Sequence, residues 1–317
     1  MSSVAAKLGG FAVVLAVVFG AALTLGAAAG PAVSTQIDAE QPAEGGHDMA
    51  TGGAGDAPAH GDAEGGQEAS DAGVPGGLAV SQDGYTIAPA ATALEAGREQ
   101  DFRFTIAGPD GRPVRDYTEE HDAELHLIVV RRDLSGFQHV HPIRDADGAW
   151  SIPLTLAEAG EYRAFADFVP AGREGLTLGV DLRVAGDYEP WPLPAPDRSA
   201  EVDGYTVELA GDLVAETSSD LTLTVSRDGG PVTDLEPYLD AYGHLVALRE
   251  GDLAYMHVHP HGEPGDGVTP AGPSVEFAAE APSDGAYRLY LDFSHDGVVR
   301  TAEFTVITAG GHRYEDQ

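Results

Sequence analysis

The stretch HLIVVRRDLSGFQHVHP, from His126 to Pro142, returns 118 positions later as HLVALREGDLAYMHVHP, from His244 to Pro260. Each version reads as two runs of β-branched and aromatic residues joined by a short polar turn, the pattern of a β-hairpin. In the second version Gly251-Asp252 takes the two central turn positions, so facing residues carry numbers that add to 503, as those of His244 and His259 do. In the first, Asp133-Leu134 sets the total at 267 and pairs His126 with His141. The period of two along a strand places His139 on the side of His141, and His257 on the side of His259. Directly opposed Cβ atoms stand about 4.5–5.5 Å apart, so three imidazoles of one hairpin can reach a single ion at about 2 Å.

The self-similarity extends outward from the hairpins. Gly84-Tyr85-Thr86 answers Gly204-Tyr205-Thr206, Pro113-Val114 answers Pro231-Val232, and Asp167-Phe168 answers Asp292-Phe293. Residues 79–187 and 200–309 therefore form two copies of one domain, joined by a proline-rich, semi-rigid connector at 188–199 and followed by a tail at 310–317. Each copy holds several short strand-like runs, such as FRFTI, WSIPLTL and YRAFADF, and no sustained helical period. The expected fold is all-β: two tandem immunoglobulin-like antiparallel β-sandwiches. Tyr162 and Tyr287, each just after a glycine at the head of a late strand, stand where that fold has its tyrosine corner, and are read as packing residues. Trp150 and Trp191 read as core and connector anchors.

Between Leu8 and Gly30 there is no charged residue, a run long enough for a transmembrane helix, which needs roughly 20 apolar residues. Lys7 precedes it and the first acids, Asp38 and Glu40, follow it, so residues 1–30 read as a single-pass anchor with everything C-terminal to it outside the cytoplasm. Ala27-Ala28-Ala29 also fits a signal-peptidase pattern, which leaves a cleaved signal peptide and a secreted protein as the alternative. Residues 31–78 are Gly, Ala, Asp, Glu, Pro and Ser with few large apolar side chains, the composition of a disordered acidic linker. His47, Met49 and His60 are read as incidental to it.

Composition narrows the function. The 317 residues carry 52 acidic against 17 basic side chains, a formal charge of −35, which repels nucleic acid. With no cysteine there is no disulfide, thiolate zinc site, iron–sulfur cluster or cysteine nucleophile. Imidazoles without thiolates suit Cu(II), Zn(II) or Ni(II), and the Irving–Williams order favours copper, with zinc as the alternative. The metal-ligand candidates are thus His126, His139 and His141 in one copy and His244, His257 and His259 in the other, one site per sandwich. The competing reading makes these histidines structural groups of a non-catalytic envelope or interaction module. Around them, His121 has no counterpart because position 239 is Leu, Met256 points to the opposite face, and His261, His295 and His312 read as surface or tail residues. Asp167 and Asp292 are expected to form exposed pairs with arginine, the alternative being carboxylates that orient a ligand imidazole.

The repeated His-Val-His-Pro hairpin resembles a group of membrane-anchored or secreted actinobacterial proteins related to the YtkA-like β-sandwich family. That resemblance implies an extracytoplasmic module linked with copper or other heavy-metal handling. The expected partners are a metal ion and, within reach of the linker, an envelope protein or metal transporter. His-Val-His on such a strand also resembles the copper ligands of copper/zinc superoxide dismutase. The bridging His, the long zinc loop and the cysteines of that enzyme have no match here. No Ser-His-Asp spacing, phosphate-binding loop or paired-carboxylate arrangement stands out either, so no enzymatic activity is expected.

Overall fold

Runs of β-branched and aromatic residues bounded by Gly and Asp turns become strands throughout residues 74–310, the span that the computed structural model describes. In the first copy these are β1 Ser81–Gln82, β2 Tyr85–Pro89, β3 Ala93–Leu94, β4 Glu99–Ala107, β5 Tyr117–Thr118, β6 His126–Arg131, β7 Gln138–Val140, β8 Ile143–Arg144, β9 Ala149–Thr155, β10 Gly160–Pro170 and β11 Leu176–Val184. In the second they are β12 Ser199–Val202, β13 Tyr205–Ala210, β14 Ser218–Arg227, β15 Gly230–Pro231, β16 His244–Arg249, β17 Tyr255–Pro260, β18 Ser274–Glu280, β19 Ala286–His295 and β20 Val298–Ile307. There is no helix among the described residues, and none long and apolar enough to cross a membrane. The expected anchor at 1–30 and most of the linker lie outside that span.

The first copy is a sandwich of two sheets, ordered β1-β2-β4-β9-β8 and β3-β11-β10-β6-β7. All of its strand pairs are antiparallel except β3 with β11. In the second copy the two layers merge into one folded sheet ordered β12-β13-β14-β18-β17-β16-β19-β20, because β17 changes layers. Tyr255 and Met256 pair with Leu248 and Ala247 of β16, while His257–Pro260 pair with Glu280–Phe277 of β18. The first copy makes the same change with two separate strands: β7 pairs with β6, and β8 with β9. Both hairpin registers follow the turn centres, with Leu127 facing Val140 and Leu248 facing Tyr255.

Parity along the central strands explains why their apolar runs are unbroken. Leu127 and Val129 of β6 enter the core of the first sandwich with Phe102, Phe104 and Trp150. Leu245 and Ala247 of β16 enter that of the second with Phe277 and Phe304. The intervening residues Ile128, Val130, Val246 and Leu248 face outward, and a third cluster with Phe165 and Tyr290 buries them between the copies. A continuous apolar strand is one covered on both faces. Here the second cover is the other copy. Tyr162 and Tyr287 each donate a hydroxyl hydrogen bond to the backbone four residues upstream, at Glu158 (2.9 Å) and Ser283 (2.8 Å).

The linker expected to run to residue 78 ends earlier, since residues 76–79 are strapped into the seam between the copies. Gly77 N–H donates to Thr177 O at 2.8 Å, and Tyr255 N–H of the second copy donates to Gly76 O at 2.9 Å. Arg163, 6% exposed, donates to the Gly77 and Leu78 carbonyls at 2.8 Å each. A β-carbon at Gly179 would lie 2.0 Å from Gly77 O and 2.7 Å from the Arg163 guanidinium. Gly179→Ala should therefore dislodge the strap at a cost of about 1–3 kcal/mol, read as a lower urea midpoint at unchanged slope. An unchanged midpoint would show that the strap contributes nothing.

Candidate metal centre

Because β6 begins at His126 and even-numbered positions of that strand face the other copy, the His126 ring stands at one end of the apolar seam. Asp167 of β10 is its cross-strand neighbour. The second copy repeats the arrangement with His244 of β16 beside Asp292 of β19. His139 and His141 come from the returning arm of the first hairpin, on the same face. The two hairpins thus bring His126, His139, His244 and His259 to a common interface.

His126, His139 and His141 offer three ring nitrogens that all lie within 4.8 Å of one another. His126 Nδ1 is 3.1 Å from His139 Nε2 and 3.1 Å from His141 Nε2. Nitrogens bound to one ion at about 2.0–2.1 Å stand roughly 3–3.5 Å apart, so this spacing matches a ligand set as well as it matches N–H···N hydrogen bonds.

The outer nitrogens settle which atoms carry protons. His126 Nε2 is 3.1 Å from the Glu120 carbonyl oxygen, which can only accept, so Nε2 carries the proton and Nδ1 a lone pair. His139 Nδ1 donates to Asp292 Oδ2 at 2.9 Å, and in the neutral ring this leaves a lone pair on Nε2. Two lone pairs then face each other at 3.1 Å, an arrangement that needs a cation or a shared proton between them. Burial, with the neighbouring His139, pushes the His126 pKa down against the opposing pull of the Glu120 carbonyl. Burial and the His139, His126 and His244 rings bring His141 down to about 3. The His126 and His141 rings thus stay neutral below the usual imidazole range, with lone pairs available to an ion.

The second copy's candidates are distributed differently. His244 is 7% exposed and donates from Nε2 to the Tyr238 and Leu239 carbonyls at 2.9 and 3.0 Å, so its Nδ1 also keeps a lone pair. Burial first, then the His139 charge, lowers its pKa to about 4. Its ring centroid lies 6.4 Å from that of His126 and 6.1 Å from that of His139. His259 does not face His244 in a ladder, because β17 has left β16 by then and pairs His259 with Ala278 of the other layer. It nevertheless lines, with His121, His126, His139, His244 and Asp167, one cavity of about 80 Å³ between the copies. The His257 backbone pairs with Glu280, and its side chain lies outside the described residues.

Three features depart from the sequence reading. His121, which has no counterpart in the other copy, stands 5.1 Å from His244 and 6.3 Å from His126 between ring centroids. Asp292 is buried, 3% exposed, instead of forming an exposed pair. The sequence signal for it was the recurrence of an Asp-Phe step in both copies. His295 is no surface residue either: it is 9% exposed and bonded to the Tyr205 hydroxyl at 2.7 Å and Asp234 at 3.2 Å. Met256, 1% exposed, does face away from the site into the second core.

The family described as Domain of unknown function (DUF8832) matches residues 79–186 and again 200–310. No curated protein matches the chain. Among solved structures, the Escherichia coli adhesin FdeC is 18% identical with a TM-score of 0.23, the match covering 73% of this chain and 66% of that one. The Yersinia pseudotuberculosis adhesin InvE is 14% identical at a TM-score of 0.23, covering 70% and 58% respectively. An Escherichia coli alpha-2-macroglobulin is 16% identical at 0.24, covering 71% of this chain and 20% of that one. The chain thus spans less than two thirds of these proteins, and similarity at that level assigns no activity.

Proposed function

We propose, from the premise that the chain belongs to the DUF8832 family twice over, that it is an extracytoplasmic metal-binding protein, tethered to the membrane through residues 1–30. Copper is the favoured ion and zinc the alternative, held by His126, His139 and His141. One observation carries this reading: His126 Nδ1 stands 3.1 Å from both His139 Nε2 and His141 Nε2, with the His126 and His139 rings oriented from behind by the Glu120 carbonyl and the Asp292 carboxylate. His244, His257 and His259 form the second candidate set, of which His244 and His259 line the cavity between the copies. Its function is metal buffering or delivery to an envelope protein or transporter, with no catalysis. Each copy is read as immunoglobulin-like, a reading supported by the Tyr162 and Tyr287 hydroxyl bonds to the upstream backbone.

The test is calorimetry on the full chain, purified without a polyhistidine tag. At pH 7 at least one Cu(II) or Zn(II) should bind tightly, and His126→Ala or His141→Ala should remove that binding while the far-UV spectrum stays all-β. A chain that takes up neither ion would leave the second reading, an interaction module with structural histidines. That reading draws on the same hydrogen bonds, which tie His139 to Asp292 and His244 to two carbonyls.

A further inference from the structure

We propose that the ion site of the first copy is completed by the second, with Asp292 as a positioning residue that acts on the ion through His139. This rests on the reading of His126, His139 and His141 as ligands. Asp292 belongs to β19, whose partner β16 sets it beside His244 on the outer face of the second sandwich. From there its Oδ2 crosses the seam to accept the His139 Nδ1 proton at 2.9 Å, with the two side chains 4% and 5% exposed. Its other oxygen accepts from Thr301 Oγ1 at 2.6 Å, so the carboxylate is held from both sides. A carboxylate behind a ligand imidazole fixes the ring's tautomer and orientation and makes the far nitrogen a better donor to the metal. Asp167, the equivalent residue of the first copy beside His126, is likewise held by a threonine, Thr177 Oγ1 at 2.9 Å, while its other oxygen accepts from the Tyr255 hydroxyl of the second copy at 3.5 Å.

The consequence is linkage. An ion that binds through His139 favours the docked arrangement in which Asp292 reaches that ring, and docking raises ion affinity by the same factor. The metal is then a clasp between the two copies, and its release loosens them.

The experiment compares the full wild-type chain with Asp292→Ala, Asp292→Asn and Thr301→Val. Asp292→Ala should lower Zn(II) affinity about 10–100-fold, the usual loss when such an outer partner is removed. Asp292→Asn, which keeps an acceptor but not the charge, should fall between and shift the Cu(II) electron paramagnetic resonance spectrum. Should Asp292→Ala fail to fold, Asp292→Asn and Thr301→Val carry the same comparison. Hydrogen exchange supplies a readout that a packing role would not move: Zn(II) should slow exchange in β7 and also in β19 and β20 of the wild type, and only in β7 of Asp292→Ala. If the wild type binds Zn(II) but Asp292→Ala binds it within about twofold, or protection stays in the first copy throughout, this inference is overturned. A wild type that binds no ion overturns the ligand assignment itself.

Discussion

Replacing Tyr290 with alanine is expected to undock the two sandwiches while leaving each folded. The Tyr290 ring stacks on Phe137 of the other copy at 4.0 Å between centroids and 6° between planes. Its hydroxyl donates to the Leu134 carbonyl at 2.6 Å, and burial keeps that hydroxyl protonated by raising its pKa well above 10. Truncating a buried aromatic costs about 3–5 kcal/mol, and the Leu134 carbonyl would lose a partner as well. The loss falls on docking because Tyr290 belongs to the cluster between the copies and to neither sandwich core. Differential scanning calorimetry should show the wild-type transition splitting into two, with β-sheet content preserved between them. Tyr290→Phe keeps the stack and loses only the donor, so it should cost about 1–3 kcal/mol without a split. A Tyr290→Ala chain that melts as one unit, at the wild-type temperature, would mean that the seam does not hold the copies together.

Much of this arrangement was legible in the residues, and the boundary of legibility has physical causes. Turn centres fix hairpin register, so the totals of 267 and 503 held for Leu127 with Val140 and Leu248 with Tyr255. Register also fixes faces, which is why His126, His139 and His141 emerge on one side. The layer change within β17 was not legible, because alternation continues through Met256-His257-Val258 whichever neighbour supplies the hydrogen bonds. Nor was the meeting of His244 and His259 with His126 and His139 at one cavity, although the clue was present: HLIVV and HLVAL do not alternate, so both faces of those strands had to be covered. Asp292 was misplaced for a related reason. Its parity correctly took it out of its own core, and outside one core here means inside an interface.

Acidification without metal is expected to destabilise the protein between pH 6.5 and 4.5, with the histidines at the seam as the cause. In the folded chain burial and neighbouring rings hold His141 at about 3 and His244 at about 4, and push His126 down as well. In the unfolded chain each would titrate near the ordinary value of about 6.5. Within that window the unfolded state binds protons that the folded state cannot, so stability rises with pH and is lost as pH falls. Each such proton costs about 1.4 kcal/mol per pH unit, and His244 alone contributes about 2–3 kcal/mol of loss by pH 4.5. His141 adds less than its shift implies because solvent reaches it. The lowered carboxyls of Asp133 and Asp252 act in the same sense, but their stability is lost only as pH falls through their own, lower range, so they do not enter the window. Urea unfolding of the chelator-treated chain at pH 7, 6, 5 and 4.5 reads the slope directly. His244→Asn, which has no titrating group there, should flatten it. A stability that stays level across the window would show that these rings bind protons as readily when folded as when unfolded, and that the seam is open to water.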